Sequence, residues 1–337
     1  MNIIDLNKAR CLLCALGDFI RDAVLKSRTE TQGREFAAVA GVTAADTIYK
    51  VDKVSEEAVF AWFEEHWPRE WPVELVMEGI GEDQPVTFPK GAAVGKTQFK
   101  CILDPIDGTR GLMYDKRSAW VLAAIAPQKG NATRLADTVV AAMTELPTSK
   151  QWRADQISAV RGCGRACVIA EAVDVLNGTR KPVQVSPSRA TDFKHGFASL
   201  AHFFPEGKSL LASLEEKIWS ELYGIGHAGS PVIFDDQYIS TGGQMYELVM
   251  GHDRMNGDLR PFALKKLGFD SSLVCHPYDV CAALIMAEAG CVFESPMGGA
   301  VDVPLDTTSA VTWMGYANED LARQVRPILR RLLKKMF

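Results

Sequence analysis

Apolar positions recur at helical spacing near the start of the chain. Leu12, Leu13, Leu16, Ile20 and Val24 mark one face of an amphipathic helix over 7–26. A second helix is predicted over 55–66, with Ser55 as N-cap and Pro68 past its end. Strands are expected at 73–77, at 100–103 and along the apolar run 119–126. Further strands are expected at 136–143 and through 150–172, with Gly162 and Gly164 at a turn or bulge, and 183–186 is strand-like. After about residue 186 the pattern changes. Helices are predicted at 208–222 and from Thr241 to Val249, with a strand-like 231–234 between them. A strongly apolar helix is expected to start at Asp279 and end near Gly290, followed by strands at 292–293 and 311–314. The tail from Leu321 to Phe337 reads as a basic amphipathic helix, interrupted at Pro327 and docked on the core. Taken alone, the pattern gives a mixed α/β chain without repeats or a low-complexity linker.

Composition narrows the function. A chain of 337 residues can bury a large core as one big domain or two modest ones. A net charge of −5 disfavours a nucleic-acid polymer as partner. Asp5, Lys8 and Arg10 interrupt the first apolar stretch, so no secretory signal is expected, and no apolar run is long enough to span a membrane. The expected location is cytoplasmic. Eight cysteines in such a chain do not suggest a disulfide scaffold. Cys11 and Cys14 share a helix face and are expected to pack; Cys163 and Cys167 lack a second pair for zinc. The segment from Gly91 to Thr97 nearly mimics a phosphate-binding loop but has one residue too few between its glycines.

Chemistry concentrates at Lys100-Cys101-Ile102-Leu103-Asp104-Pro105-Ile106-Asp107-Gly108-Thr109. A strand over Cys101 to Leu103 would deliver Asp104 and Asp107 into the turn at its end. Two carboxylates held together repel unless a cation lies between them, and aspartate oxygens suit a hard ion such as Mg2+. Thr109 to Leu112 can open a helix, whose first N–H groups favour a phosphate. Glu78 ends an apolar strand, where a charge makes little sense without a partner.

This stretch resembles the signature of the inositol monophosphatase superfamily, which includes fructose-1,6-bisphosphatases and 3'-phosphoadenosine 5'-phosphate phosphatases. Three more blocks follow the same order: Asp46 to Glu56, Val73 to Gly79, and His276-Pro277-Tyr278-Asp279 with Glu288-Ala289-Gly290. Tyr278 stands where the family usually has Trp, and Arg110-Gly111-Leu112 departs from the Thr-Asn-Phe of inositol phosphatases. The resemblance implies an alternating α-β-α-β-α sandwich of two subdomains, here 1–185 and 186–337, with the metal site at their junction. It implies two or three Mg2+ ions held by Glu78, Asp104, the carbonyl of Ile106, Asp107 and Asp279, with Glu82 as rival to Glu78. Asp52, Thr109 and Glu78 are the implied catalytic residues, an Asp52–Thr109 pair orienting the attacking water. Gly108, Thr109, Gly242, Gly243, Arg260 and His276 are the expected substrate contacts, Arg260 through a fork of donors suited to a second phosphate.

The implied activity is hydrolysis of a small sugar, cyclitol or nucleotide monophosphate such as inositol-1-phosphate. The alternatives are 3'-phosphoadenosine 5'-phosphate or a sugar bisphosphate as substrate, and a non-catalytic phosphate- or metal-binding relative. A lithium-sensitive homodimer is expected, acting on a small molecule, without membrane partners.

Overall fold

Two large sheets, alternating with helices, carry the chain in this computed structural model. It describes residues 3–30, 39–42, 47–81, 85–224, 232–269 and 273–337; side chains at 30, 39–42 and 47–55 are not described. The first layer is α1 (Ile3–Glu30) and, after the hairpin β1 (Val39–Val42) and β2 (Thr47–Tyr49), α2 (Lys50–His66). Leu13, Leu16, Ile20 and Val24 of α1 are buried against the next layer, so the predicted apolar face is the one that packs. Cys14 is half-buried in that layer, while Cys11 of the same helix is exposed.

The second layer is an eight-stranded sheet. Its strands are β3 (Val73–Met77), β4 (Val86–Phe88), β5 (Phe99–Asp107), β6 (Ala119–Pro127), β7 (Val140–Leu146), β8 (Arg153–Val160), β9 (Val168–Asp174) and β10 (Arg180–Pro182), with the short helix α3 (Thr109–Met113) after β5. The spatial order is β10-β9-β8-β7-β6-β5-β3-β4, and only the β3–β5 pair is parallel. Strands β5 and β6 are buried on both faces, which explains their continuous apolar runs.

The second sheet has the order β12-β11-β13-β15-β14. Its strands are β11 (Gly196–Leu200), β12 (Ile233–Phe234), β13 (Asp253–Asp258), β14 (Val292–Glu294) and β15 (Trp313–Tyr316). Between the sheets lie α5 (Thr241–Met250) and α7 (Ala283–Ala289), touching both. Beyond the second sheet lie α4 (Lys208–Tyr223), α6 (Arg260–Leu267) and α8 (Glu319–Met336). The α-β-α-β-α layering is therefore the observed architecture. Among the described residues, no helix is long and apolar enough to cross a membrane.

Several local expectations change. Helix α2 begins at Lys50, directly after β2, so Ser55 lies inside it and not at its start. Strand β7 starts at Val140 because 135–137 form a 3-10 turn. The strand expected at 183–186 is instead β10, and Val185 packs into the core outside any ladder. Strand β15 begins at Trp313; Val311 only bridges Cys275. Helix α7 starts at Ala283, after a run of turns that contains Asp279. Helix α8 passes through Pro327 unbroken. Burial of Leu321, Val325, Leu329, Leu332 and Leu333 outweighs the single backbone bond that an interior proline forfeits.

Candidate metal centre

Register and one irregularity build the centre. Strands β3 and β5 pair Met77 with Leu103, so Glu78 and Asp104 leave the ladder side by side. The Glu78 N–H donates to the Leu103 carbonyl at 3.2 Å. Farther along, Asp104 faces Leu122 of β6 but Asp107 faces Trp120, so β5 carries one extra residue there. Residues three apart point to opposite faces of a regular strand. The bulge at Pro105–Ile106 brings both aspartates to one face. Pro105 has no N–H to donate and sits where the ladder is already interrupted. The expected turn after Leu103 is thus a continued, bulged strand.

That face meets the start of α5 and the turn that carries Asp279. One ligand oxygen each from Asp104, Asp107 and Asp279 lies within 4.8 Å of the other two. Asp104 is 1% exposed and Asp107 6%, whereas the Asp279 side chain keeps 17% of its surface open. Asp104 accepts from the Ile106 N–H at 3.0 Å. Asp107 accepts from the Ser240 hydroxyl at 2.7 Å and from the N–H groups of Thr241 and Gly242 at 3.2 and 2.5 Å. Asp279 accepts from the His276 N–H at 2.6 Å.

These bonds do not neutralise the group. Burial, then the carboxylates of Glu78, Asp107 and Asp279, raises Asp104 well above the usual carboxylate range. Asp279 is raised by burial, then by Asp107 and Glu78. Burial pushes Asp107 up to about 6, against the opposing pull of Ser240, Gly242, Thr241 and Arg260. Buried like charges of this kind call for a cation. An ionised carboxylate offers about four acceptor sites over its two oxygens, so the aspartates keep lone pairs for one. An all-oxygen donor set fits a hard divalent ion.

The remaining expected residues fall around this centre. The Ile106 carbonyl accepts from the Thr109 hydroxyl at 2.8 Å. Gly108 has φ 98°, and a Cβ there would lie 3.0 Å from Ser240 Cβ and 3.2 Å from the Ile239 carbonyl oxygen. His276 is buried beside Asp279, its ring stacked on Tyr278 at 5.2 Å. The Gly242 N–H is directed at Asp107 and the Gly243 N–H at the Ser240 hydroxyl. A Cβ on Gly242 would stand 2.9 Å from the Asp107 carboxylate, and one on Gly243 2.4 Å from the Tyr238 ring. Gly242 therefore lets α5 dock on Asp107, and Gly243 lets the Tyr238 ring pack against the start of the helix. Arg260 is buried and its fork grips Asp258 at 2.9, 2.9 and 2.5 Å, with Nη1 donating to Leu273 O at 3.0 Å. The Asp52 side chain and Glu82 lie outside the described parts. Two anchors escaped the sequence reading: Ser240 as the hydroxyl on Asp107, and Asp258 as the partner of Arg260. The one sign of the bulge in the sequence is the proline in an apolar run, and it reads equally well as a turn.

Neither protein-family models nor curated protein sequences match this chain. Solved structures do. Fructose-1,6-bisphosphatase from Leishmania major is 12% identical with a TM-score of 0.65, covering 96% of this chain and 93% of its own. A Pyrococcus horikoshii protein described as having similarities to inositol-1 monophosphatase is 15% identical with a TM-score of 0.62, covering 96% of this chain and 98% of its own. The extragenic suppressor protein SuhB from Bartonella henselae is 15% identical with a TM-score of 0.62, covering 98% of this chain and 100% of its own. At such identities the likeness establishes a shared fold over nearly the whole chain.

Proposed function

We propose that this protein is a divalent-cation-dependent phosphatase acting on a small phosphate monoester of a sugar, cyclitol or nucleotide. The observation that carries the reading is the bulge in β5, which aligns Asp104 and Asp107 on one face opposite Asp279, beside Glu78. The division into two subdomains near residue 186 is kept, since the first sheet ends at Pro182 and the second begins at Gly196.

Glu78, Asp104, Asp107, Asp279 and the Ile106 carbonyl are the groups that would hold Mg2+. When bound, the metal supplies neutralisation of phosphoryl charge and a more acidic water. The chain supplies the rest. Ser240 and the start of α5 fix the Asp107 carboxylate, and the His276 N–H fixes Asp279. The Thr109 hydroxyl, held on the Ile106 carbonyl, presents its lone pairs to an attacking water. Gly108 keeps the main chain bare where a phosphate approaches. His276, beside the more open Asp279, faces the leaving alcohol. Buried, and with three of its five N–H donors held by Asp258 and Leu273, Arg260 is a poor seat for a second phosphate, which favours a monophosphate over a bisphosphate.

A panel of phosphate esters assayed with Mg2+ and after chelation tests the reading. Turnover of at least one small monoester that chelation abolishes is expected. Undiminished turnover in thoroughly metal-stripped protein, or none on any ester, refutes it.

A further inference from the structure

A second group of metal-ligating side chains lies apart from that centre. His202 follows β11, Glu215 belongs to α4 and Asp235 follows β12. One ligand atom from each lies within 4.8 Å of the other two. Glu215 is only 7% exposed, and its Oε1 accepts no hydrogen bond. Its Oε2 stands 3.7 Å from Nδ1 of His202, so the carboxylate faces the imidazole. Across the ring, Nε2 stands 3.7 Å from Oδ2 of Asp235. Both gaps exceed hydrogen-bond length. An unmade bond on a buried carboxylate is costly, so the arrangement is incomplete as the chain alone supplies it.

The surrounding contacts suit a ligand set. Nδ1 of His202 lies 2.7 Å from the Leu200 carbonyl. A proton donated there leaves the Nε2 lone pair free on the side of Asp235, the arrangement in which histidines bind metals. The Gln237 amide donates to the same carbonyl and to Asp235 Oδ1, at 2.9 Å each, and so steadies the carboxylate. Metal bonds of about 2 Å place ligand atoms closer together than the present spread, a closure of roughly 1 Å that side-chain torsions can supply.

We propose that His202, Glu215 and Asp235 form a binding site for a first-row transition-metal dication such as Zn2+, distinct from the all-oxygen centre. One imidazole with two carboxylates is a borderline donor set that Zn2+ accepts, whereas Mg2+ favours oxygen and water. The ion ties the end of β11 and helix α4 to the segment leading into α5. That segment carries Asp236, paired with Arg117 at 2.5 Å, and Tyr238, whose hydroxyl donates to the Ser118 carbonyl at 2.9 Å. It ends at Ser240, the hydroxyl on Asp107. The site is therefore structural, bracing the strand of chain that holds one wall of the acidic centre.

The test is equilibrium dialysis of the chelator-stripped full chain against Zn2+ with Mg2+ in large excess. One zinc per chain is expected to be retained. His202→Gln and Glu215→Gln should each weaken that binding at least about tenfold, and Asp104→Asn should leave it unchanged. No retained zinc, or zinc unaffected by both His202→Gln and Glu215→Gln, overturns the proposal. Because either variant can unfold, the nitrogen resonances of His202 are also followed in the unaltered protein. A zinc-dependent shift of Nε2 supports the site. A doubly protonated ring that persists with zinc overturns it, since the imidazolium would itself be the cation between the two carboxylates.

Discussion

The acidic centre and the His202 cluster both bury carboxylates, yet the chain treats them differently. At the centre, Asp104, Asp107 and Asp279 each accept a backbone N–H. Each such bond favours the charged form, so the geometry keeps negative charge in a place that burial disfavours. At the second cluster, Glu215 also draws on the Leu200 backbone and the Trp219 side chain, but its Oε1 accepts nothing and an imidazole stands between two carboxylates. The first group gathers carboxylates alone and asks for a hard cation; the second sets a nitrogen base among its acids and suits a softer one. The difference in donors, more than the count of acids, separates the two sites.

The largest expected effect breaks the first site alone. Asp104→Asn and Asp279→Asn should lower phosphatase turnover by about a thousandfold or more, since several kcal/mol of charge stabilisation go with the cation. Mg2+ affinity, read by titration, should fall with the rate. The metal-free variants should melt no lower than the unaltered protein, because a repelling charge has been removed. A variant with unaltered rate would show that the bulge-aligned pair is not the centre.

Next comes Arg260→Ala, which removes one half of a buried pair. A stability loss of about 3–5 kcal/mol is expected, measured by denaturant unfolding, because Asp258 is left buried and uncompensated. The ratio of rates on a mono- and a bisphosphorylated ester should stay near its original value. A selective loss on the bisphosphate would restore Arg260 to the substrate pocket.

Thr109→Ala should lower kcat by about a hundredfold with Mg2+ affinity nearly unchanged. Kinetics and metal titration, run separately, decide it. If affinity falls instead, Thr109 acts through the Ile106 carbonyl it donates to.

Legibility followed the same divide between the two sites. Helix α1, strands β3 and β6 and helices α4 and α5 follow apolar periodicity, and their positions were readable. So were the positions of Asp104 and Asp107, which lie in one compact motif. The bulge was not, because an Asp-Pro step reads as a turn when the two buried faces of β5 are unknown. Strand β13 was hidden by its polar residues; Asn256 and Asp253 pair with each other at 2.7 Å inside the sheet. Asp279 was expected among the metal ligands through the resemblance, since taken alone it is an ordinary residue at a helix start; its carboxylate accepts from the His276 N–H ahead of α7. The second cluster draws on positions 202, 215 and 235, which share no spacing motif and meet only through the pairing of β11 with β12 and the packing of α4 on β11.

The smallest effect sharpens the comparison through pH. For Asp107 the folded value, about 6, lies above the ordinary value near 4. Between those values the folded state binds more protons than the unfolded one, so stability falls as pH rises. The Asp107 share amounts to roughly 2 kcal/mol between pH 4 and 6. Asp104 and Asp279, raised for the same reason of burial, act in the same direction. Glu215 extends the slope upward, since burial and then Asp235 push it up to about 8. Metal-free protein should therefore melt progressively lower from pH 4 towards 8. Saturating Mg2+ should flatten the acid end of that curve, because a bound cation stabilises the ionised aspartates and adds stability by mass action. Zn2+ added on top of Mg2+ should flatten the upper end. Melting curves across this range, recorded metal-free, with Mg2+ and with both ions, separate the sites. A curve that Mg2+ flattens over its whole length would mean that both clusters take the same hard ion, and the contrast drawn from their donors would fail.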